Sequence, residues 1–327
     1  KELLEEAQAT EHWNAELSDP SIGRGIAIGA WGNGGMESSA SASINSDGTI
    51  NLNTGSVDIG GQRASLAMQL AETLGVEYDS IKPQVVDTDS IGYTAVSAGS
   101  RTTFATGIAV IEVGNKIKKQ IINRVATFWE IDANALKYND DGSVSSPDKI
   151  INFKEIAAML PNTGGRIQAS IDIQATTHVP TIACHIVDVK VDEETGKVDI
   201  LRSTALQDVG KAIHPAYVEG QTQGGILQGI GMALYEEYYY DDKGILKNAS
   251  LLDYRMPTSY DVPFTEIILV EKPNPGHPFG VKGVGEVPIV PPLAAVANAI
   301  YDAVGVRPSI LPVNPRRLNL LLKKKNK

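Results

Sequence analysis

Cysteine is almost missing: Cys184 is the one cysteine in 327 residues. That excludes a disulfide framework within the chain, and equally an iron–sulfur cluster held by this chain's own thiolates. Its setting, Thr181-Ile182-Ala183-Cys184-His185-Ile186, suits packing in a strand. The five histidines are scattered with no i, i+4 pair, so no zinc motif is formed and no residue here is expected to ligate a metal. Positive charge is scarce too, with 29 Lys and Arg against 39 Asp and Glu and a formal net charge of −10. Nucleic-acid binding needs clustered cations, and the one basic run is the tail Lys323-Lys324-Lys325. The apolar runs read as shorter than a membrane span. No signal-peptide pattern opens the chain, and no glycine fingerprint for a flavin or nicotinamide dinucleotide occurs. The expectation is a cytoplasmic protein without nucleic-acid or membrane partners.

What remains is a globular composition, 42% hydrophobic, long enough for one large or two ordinary domains with a real core. Helical spacing opens the chain through Leu3, Leu4, Ala7 and Trp13 and stops before Pro20. Residues 25–31 read as a strand, and 41–57 as a hairpin around Ser46-Asp47-Gly48-Thr49. A helix is expected over 64–74, a strand over 76–87, and a helix over 102–129 interrupted near Gly114. Another hairpin centres on 139–142 and a short helix on 153–160. Alternation over 181–191 and 197–208 around Glu193-Glu194-Thr195-Gly196 marks a further hairpin, and 262–271 a strand. Strands and helices in this mixture argue for an α+β fold. Pro161-Asn162-Thr163-Gly164-Gly165 is the expected seam, dividing the chain into lobes 1–165 and 166–327.

Four stretches carry chemistry. Around Lys282–Pro292, three glycines (Gly280, just before it, Gly283 and Gly285) lead up to a single carboxylate, Glu286, followed by a Pro-rich apolar run and a helix over 293–300. Glycines allow close backbone approach and prolines stiffen the turn. One acid held there against apolar neighbours is suited to act as a general base; the same pattern also suits an ordinary surface loop. Asp58–Gln62 is a glycine-rich turn at a helix start, where N–H groups and the helix dipole make a natural anion site; Ala98–Thr103 opens another helix with small residues and three hydroxyls, which suits a phosphate or pterin-like ligand, with simple N-capping by Ser and Thr as the alternative. Residues 214–237 hold Gly220, Gly224, Gly225, Gly229 and Gly231, poor for helix propensity but suited to a face packed closely on something flat.

These residues carry a resemblance. GQTQGGILQGIGMALYEE, LLDYRMPTSYDVP, and GVGE with the Pro-rich run and AVANAIYDAVGVR resemble, in order and spacing, the second half of the molybdopterin subunit of the xanthine oxidase family of molybdenum hydroxylases. VDIGGQ and SAGSRTTFATG fall where that family has cofactor loops, and the resemblance covers roughly Gly23 to Leu321. It implies a two-lobed molybdopterin-binding domain of mixed sheets with packed helices. The implied cofactor is molybdopterin cytosine dinucleotide with molybdenum, carrying a sulfide or selenide as its labile ligand. Glu286 matches the family's active-site glutamate, and Gln221 the glutamine that touches the pterin. Ala98, Gly99 and Ser100 match the loop under the metal, with Thr102 at the cofactor-facing helix start and Gly285 beside the acid. One departure is Gly60-Gly61-Gln62 where the family usually reads Gly-Gln-Gly.

The family's first molybdopterin half has no counterpart here. The resemblance therefore implies partner chains: a large molybdopterin subunit, an FAD subunit and an Fe–S subunit, with NADP as acceptor. A molybdopterin subunit divided over two chains is similar to that of nicotinate dehydrogenases, in the extent of its medium molybdopterin subunit. The implied reaction puts a water-derived oxygen on an electron-poor ring carbon, nicotinate to 6-hydroxynicotinate, with Glu286 as the base. Three alternatives stay open: another N-heterocycle or an aldehyde as substrate, a non-catalytic subunit that closes over the cofactor, and a free-standing α+β protein binding an unrelated small ligand.

Overall fold

Side-chain caps and left-handed glycines set several of the helix ends. The computed structural model describes residues 1–176 and 179–325. In chain order the elements are α1 (Glu2–Ala9), α2 (Glu11–Asn14), β1 (Ile22–Gly32), β2 (Met36–Ile44), β3 (Ile50–Thr54), α3 (Gln62–Leu74), β4 (Ile81–Val85) and α4 (Gly107–Trp129). Then follow β5 (Lys137–Tyr138), β6 (Val144–Ser145), β7 (Ile150–Ile151), α5 (Phe153–Met159), β8 (Gln168–Ala175), β9 (Pro180–Asp192) and β10 (Lys197–Asp208). The last are α6 (Pro215–Leu234), β11 (Thr265–Val270), α7 (Val290–Val304) and α8 (Pro315–Lys325). Thr10 divides the opening helix: its backbone is extended and its Oγ1 accepts the Trp13 N–H, starting α2 afresh.

The chain forms two compact units, each discontinuous in sequence. The first comprises Lys1–Gly32, Pro180–Lys272 and Val284–Lys327; the second comprises Asn33–Val179 and Pro273–Gly283. The expected cut at 165/166 does not coincide with any of the four boundaries between them. The glycine-rich seam at 161–165 lies inside the second unit, where Arg124 Nη1 donates to the Gly165 carbonyl at 2.8 Å. The reason is pairing: β8 pairs along β2, while β9 pairs with β1.

In the first unit the sheet order is β1-β9-β10-β11, antiparallel except for the parallel β10/β11 pair. The alternating glycines of β1 let α7 lie directly on the strand. A Cβ at Gly25 would stand 2.0 Å from the Ala295 carbonyl oxygen, and one at Gly23 2.2 Å from that of Ala299. Ala295, Val296, Ala299 and Ile300 are fully buried there, with Val187, Val189, Ile226 and Ile230. Against the expectation from apolar runs, residues Val287–Val304 have the length and composition of a membrane span. Half of that stretch is buried, and α7 packs on β1, β9 and α6 as a core helix does. Cys184 sits fully buried in β9, as expected, and burial pushes its thiol up to about 11.

In the second unit the sheet order is β4-β3-β2-β8, with β3/β4 parallel, beside a small β5-β6-β7 sheet. The expected hairpins at 46–49 and 139–142 are present. Helices α3 and α4 cover the larger sheet over Ile44, Leu52, Leu66, Leu70, Ile117 and Ile121. Helix α4 runs unbroken through Gly114. A Cβ there would meet Thr73 Cγ2 at 2.6 Å, so the glycine serves close packing of α3 on α4 and not a break. Irregularity falls instead at Thr102–Thr106, a π-helical turn that leads into α4.

Candidate functional site

The candidate residues fall into two sets, one in each unit. Ala98, Gly99, Ser100 and Thr102 belong to the second unit; Gln221, Gly285 and Glu286 belong to the first.

In the second unit the loop before α4 is built from left-handed backbone. Gly99 has φ 68° and Ser100 φ 53°, the latter uncommon for a residue with a side chain. The Gly34 N–H donates to the Gly99 carbonyl at 2.7 Å. Beneath the loop, Arg101 is 1% exposed and its guanidinium is held by the carbonyls of Gly35 (2.6 Å), Ala95 (3.1 Å) and Glu37 (2.5 Å) and by Ser38 Oγ (2.5 Å). Burial holds its pKa below the usual arginine value. A buried guanidinium with this acceptor set fixes the loop backbone more firmly than a glycine turn does alone. Ala98, Gly99 and Ser100 reach the surface, while Thr102 is buried within the chain.

The segment Pro273–Gly283 packs onto this loop. A Cβ at Gly283 would lie 2.5 Å from the Ser100 carbonyl oxygen and 2.7 Å from Ser100 Cβ. Asn33, oriented by its partners, donates to the Val179 carbonyl at 2.6 Å and accepts from the Gly283 N–H at 3.2 Å. Gly283 thus exists to let backbone meet backbone. In the same unit Gly60 (φ 66°) and Gly61 (φ 77°) open α3, which has no side-chain cap. Gln62 follows, and its buried Oε1 has no hydrogen-bond partner among the described residues.

In the first unit Glu286 is half-buried and starts a single 3₁₀ turn, Val287–Ile289, that runs into α7. Its carbonyl accepts the Ile289 N–H at 3.2 Å, and Pro288 stiffens the turn. Helix α6 packs against that turn through glycine: a Cβ at Gly225 would be 2.5 Å from Pro288 Cγ, and one at Gly229 2.6 Å from the Ile289 carbonyl oxygen. The close-packed glycine face expected from the sequence is therefore real, and what it packs on is the turn that carries Glu286. Gly220 and Gly224 instead meet nothing within 4 Å, leaving open backbone on either side of partly buried Gln221. Gly285 lies between Glu286 and Val284, whose carbonyl accepts from Gln207 Nε2 at 3.0 Å.

Reading the sequence overlooked Arg101, Gln207 and Thr222, whose Oγ1 donates to Gln207 Oε1 at 3.0 Å. Arg101 stood next to the singled-out Ser100 and was the legible one, since a cation in a small-residue loop needs a reason. Gln207 and Thr222 gave no signal, because their pairing joins a strand, a helix and a distant loop.

A family model for the molybdopterin cofactor-binding domain matches residues 2–263. This chain belongs to the xanthine oxidase family of molybdenum hydroxylases. It is 35% identical over 284 residues to the putative xanthine dehydrogenase molybdenum-binding subunit of Escherichia coli, covering 84% of this chain and 38% of that protein. It is 30% identical over 310 residues to the 6-hydroxypseudooxynicotine dehydrogenase complex subunit gamma of Paenarthrobacter nicotinovorans, covering 89% of this chain and 37% of that protein. Among solved structures it superposes on CO dehydrogenase from Oligotropha carboxidovorans with a TM-score of 0.84 and 26% identity, covering 94% of this chain and 41% of that one. The chain spans about two fifths of the length of these family members, an extent that fits the C-terminal half of the molybdopterin subunit. The α+β architecture described above is the family's molybdopterin-binding fold.

The residues present fit such a cofactor. The buried Gln62 Oε1 calls for a hydrogen-bond donor, which pterin N–H groups are. In the same unit the pairs Gly60-Gly61 and Gly99-Ser100 hold left-handed backbone just before helical segments, a setting that suits anionic or hydrogen-bonding ligands; in the first unit, by itself, the open backbone beside Gln221 leaves room for a ligand.

Proposed function

We propose that this chain is the part of a molybdenum hydroxylase that supplies the acid–base carboxylate, Glu286, and cofactor contacts from Ala98, Gly99, Ser100, Gln221 and Gly285. In this reading the cofactor is molybdopterin cytosine dinucleotide and the substrate is an electron-poor N-heterocycle, nicotinate giving 6-hydroxynicotinate. The observation that carries it is the build of the Glu286 turn. A single carboxylate starts a proline-stiffened turn that two glycines of α6 allow to pack without side chains between. A surface loop does not require that precision. The kinship with a 6-hydroxypseudooxynicotine dehydrogenase subunit supports the choice of substrate class. Thr102, buried in the chain, would act through the shape of the loop and not by direct contact.

Hydroxylation replaces a ring C–H by C–OH, taking the oxygen from water and releasing two electrons and two protons. The molybdenum–pterin group, when bound, supplies the two-electron oxidation. Glu286 accepts a proton at its carboxylate from the water-derived oxygen nucleophile and holds it while the carbon–oxygen bond forms. Gln221 orients the pterin edge by hydrogen bonding, and the 98–100 loop presents backbone N–H groups toward it. In this reading a large molybdopterin subunit, an FAD subunit and an Fe–S subunit passing electrons to NADP would be partner chains in a cytoplasmic hetero-oligomer. The similarity to a subunit of a 6-hydroxypseudooxynicotine dehydrogenase complex is what supports that arrangement.

Glu286→Gln in the purified complex tests the proposal. The expected outcome is an unchanged molybdenum content with the rate of enzyme reduction by nicotinate lowered by about 10²–10⁴-fold. A fully loaded variant reduced at the wild-type rate would remove Glu286 from the mechanism.

A further inference from the structure

We infer that Gln207 is a positioning residue for Glu286, a clamp that sets the glutamate turn on the helix carrying Gln221. It rests on the reading of Glu286 as the base. Gln207 sits near the end of β10, paired on one side to Ala183 of β9 and on the other to Leu269 of β11, so its Cα is fixed by the middle of a sheet. Its side chain is fully buried and joins two other elements. Oε1 accepts from Thr222 Oγ1 at 3.0 Å, and Thr222 is the neighbour of Gln221 on α6. Nε2 donates to the Val284 carbonyl at 3.0 Å, two residues before Glu286. That carbonyl is acceptor only, so the amide has one orientation and Oε1 is left facing Thr222. Thr222 is itself fully buried, and its hydroxyl also lies 2.9 Å from the Val218 carbonyl, so its proton is shared between the two acceptors.

The surroundings make the clamp specific. Val284 packs against the apolar cluster of Val209, Ala212 and Val218, which would hold the loop roughly in place by contact alone. Apolar contact is non-directional and tolerates sliding. An amide with both ends bonded inside such a cluster does not, because any shift leaves a buried polar group unpaired. Glycines 225 and 229 let the turn approach α6; Gln207 determines where along α6 it stops. A misplacement of about 1 Å at a reacting group costs on the order of 10²-fold in rate.

The test uses the complex as purified, with Gln207→Met, which keeps the buried volume and removes both hydrogen bonds. Amide hydrogen exchange over 283–287 should rise, and kcat with nicotinate should fall at least 10-fold, with KM and molybdenum content near wild type. Thr222→Val should move both readouts in the same direction, and Thr222→Ser, which keeps the hydroxyl, should restore them. Thr222 thus keeps the inference testable should Gln207→Met fold poorly. Wild-type exchange over 283–287 in Gln207→Met overturns the clamp, as does identical behaviour of Thr222→Val and Thr222→Ser. Glu286→Gln measured alongside separates the two failures. Full activity in that variant sinks the base, whereas an inactive Glu286→Gln beside a wild-type Gln207→Met sinks the clamp alone.

Discussion

At the scale of single residues, His277 couples the loop before Glu286 to pH. Its ring is 4% exposed, with Phe104 at 5.7 Å and Phe279 at 6.4 Å between ring centroids, and its Nδ1 accepts the Phe279 N–H at 3.1 Å. Burial pulls its pKa down to about 4. In the folded chain the ring stays neutral where the unfolded chain would protonate it. Between about pH 6.5 and 4 the unfolded state therefore binds more protons, so stability rises with pH across that window and is lost on acidification. The loss is on the order of 3 kcal/mol at the acid end. His277→Gln keeps an acceptor and a similar reach but does not titrate. Its denaturation midpoint should fall less steeply than wild type between pH 6.5 and 4.5, and parallel curves would remove His277 from the acid response. His185, fully buried in β9 with a pKa pushed down to about 3, extends the same trend to lower pH in both proteins.

At the scale of elements, α6 has two glycine faces with opposite predictions. Gly225→Ala or Gly229→Ala would drive a methyl into Pro288 or the Ile289 carbonyl, backbone and ring atoms that cannot swing away. Each should cost about 1–3 kcal/mol and displace the Glu286 turn. Gly220 and Gly224 have free space, so alanine there should raise helix stability by about 0.5–1 kcal/mol. If this open face meets the cofactor, the same two substitutions lower molybdenum per chain while stability rises. Urea midpoints and metal analysis on the four variants give both quantities. Uniform stabilisation with full molybdenum at Gly220→Ala and Gly224→Ala would mean that the open face is plain solvent surface.

At the scale of the whole molecule, much apolar surface lies in the first unit between α6 and β11. Tyr260 is 100% exposed, Leu252 89%, Phe264 83% and Leu251 78%, on a segment with little regular structure. Patches of this kind mark surfaces that other protein covers. The chain expressed by itself should bind an apolar dye or self-associate, and both effects should disappear when it is co-expressed with the partner chains proposed above. A monodisperse, dye-free lone chain would argue that no partner chain covers this surface.

Local signals in the sequence were enough for most elements. Alternation and a Glu-Glu-Thr-Gly turn specify the β9/β10 hairpin, Ser-Asp-Gly-Thr specifies β2/β3, and Pro215 opens α6, because turn and cap energetics act over a few residues. The family and the position of Glu286 were legible for the same reason: a short, unusual run of Gly, Glu and Pro carries its own signature. The division into units was not. It follows from β1 pairing with β9 and β8 with β2, and strand partners so distant in the chain are chosen by the faces they bury together. Gly114 looked like a break and proved to be a contact, since spacing cannot say what stands opposite a missing side chain. Gln207 left no mark in the sequence at all. A lone glutamine acquires its role when a strand, a helix and a loop converge on one buried amide, and only packing brings those three together.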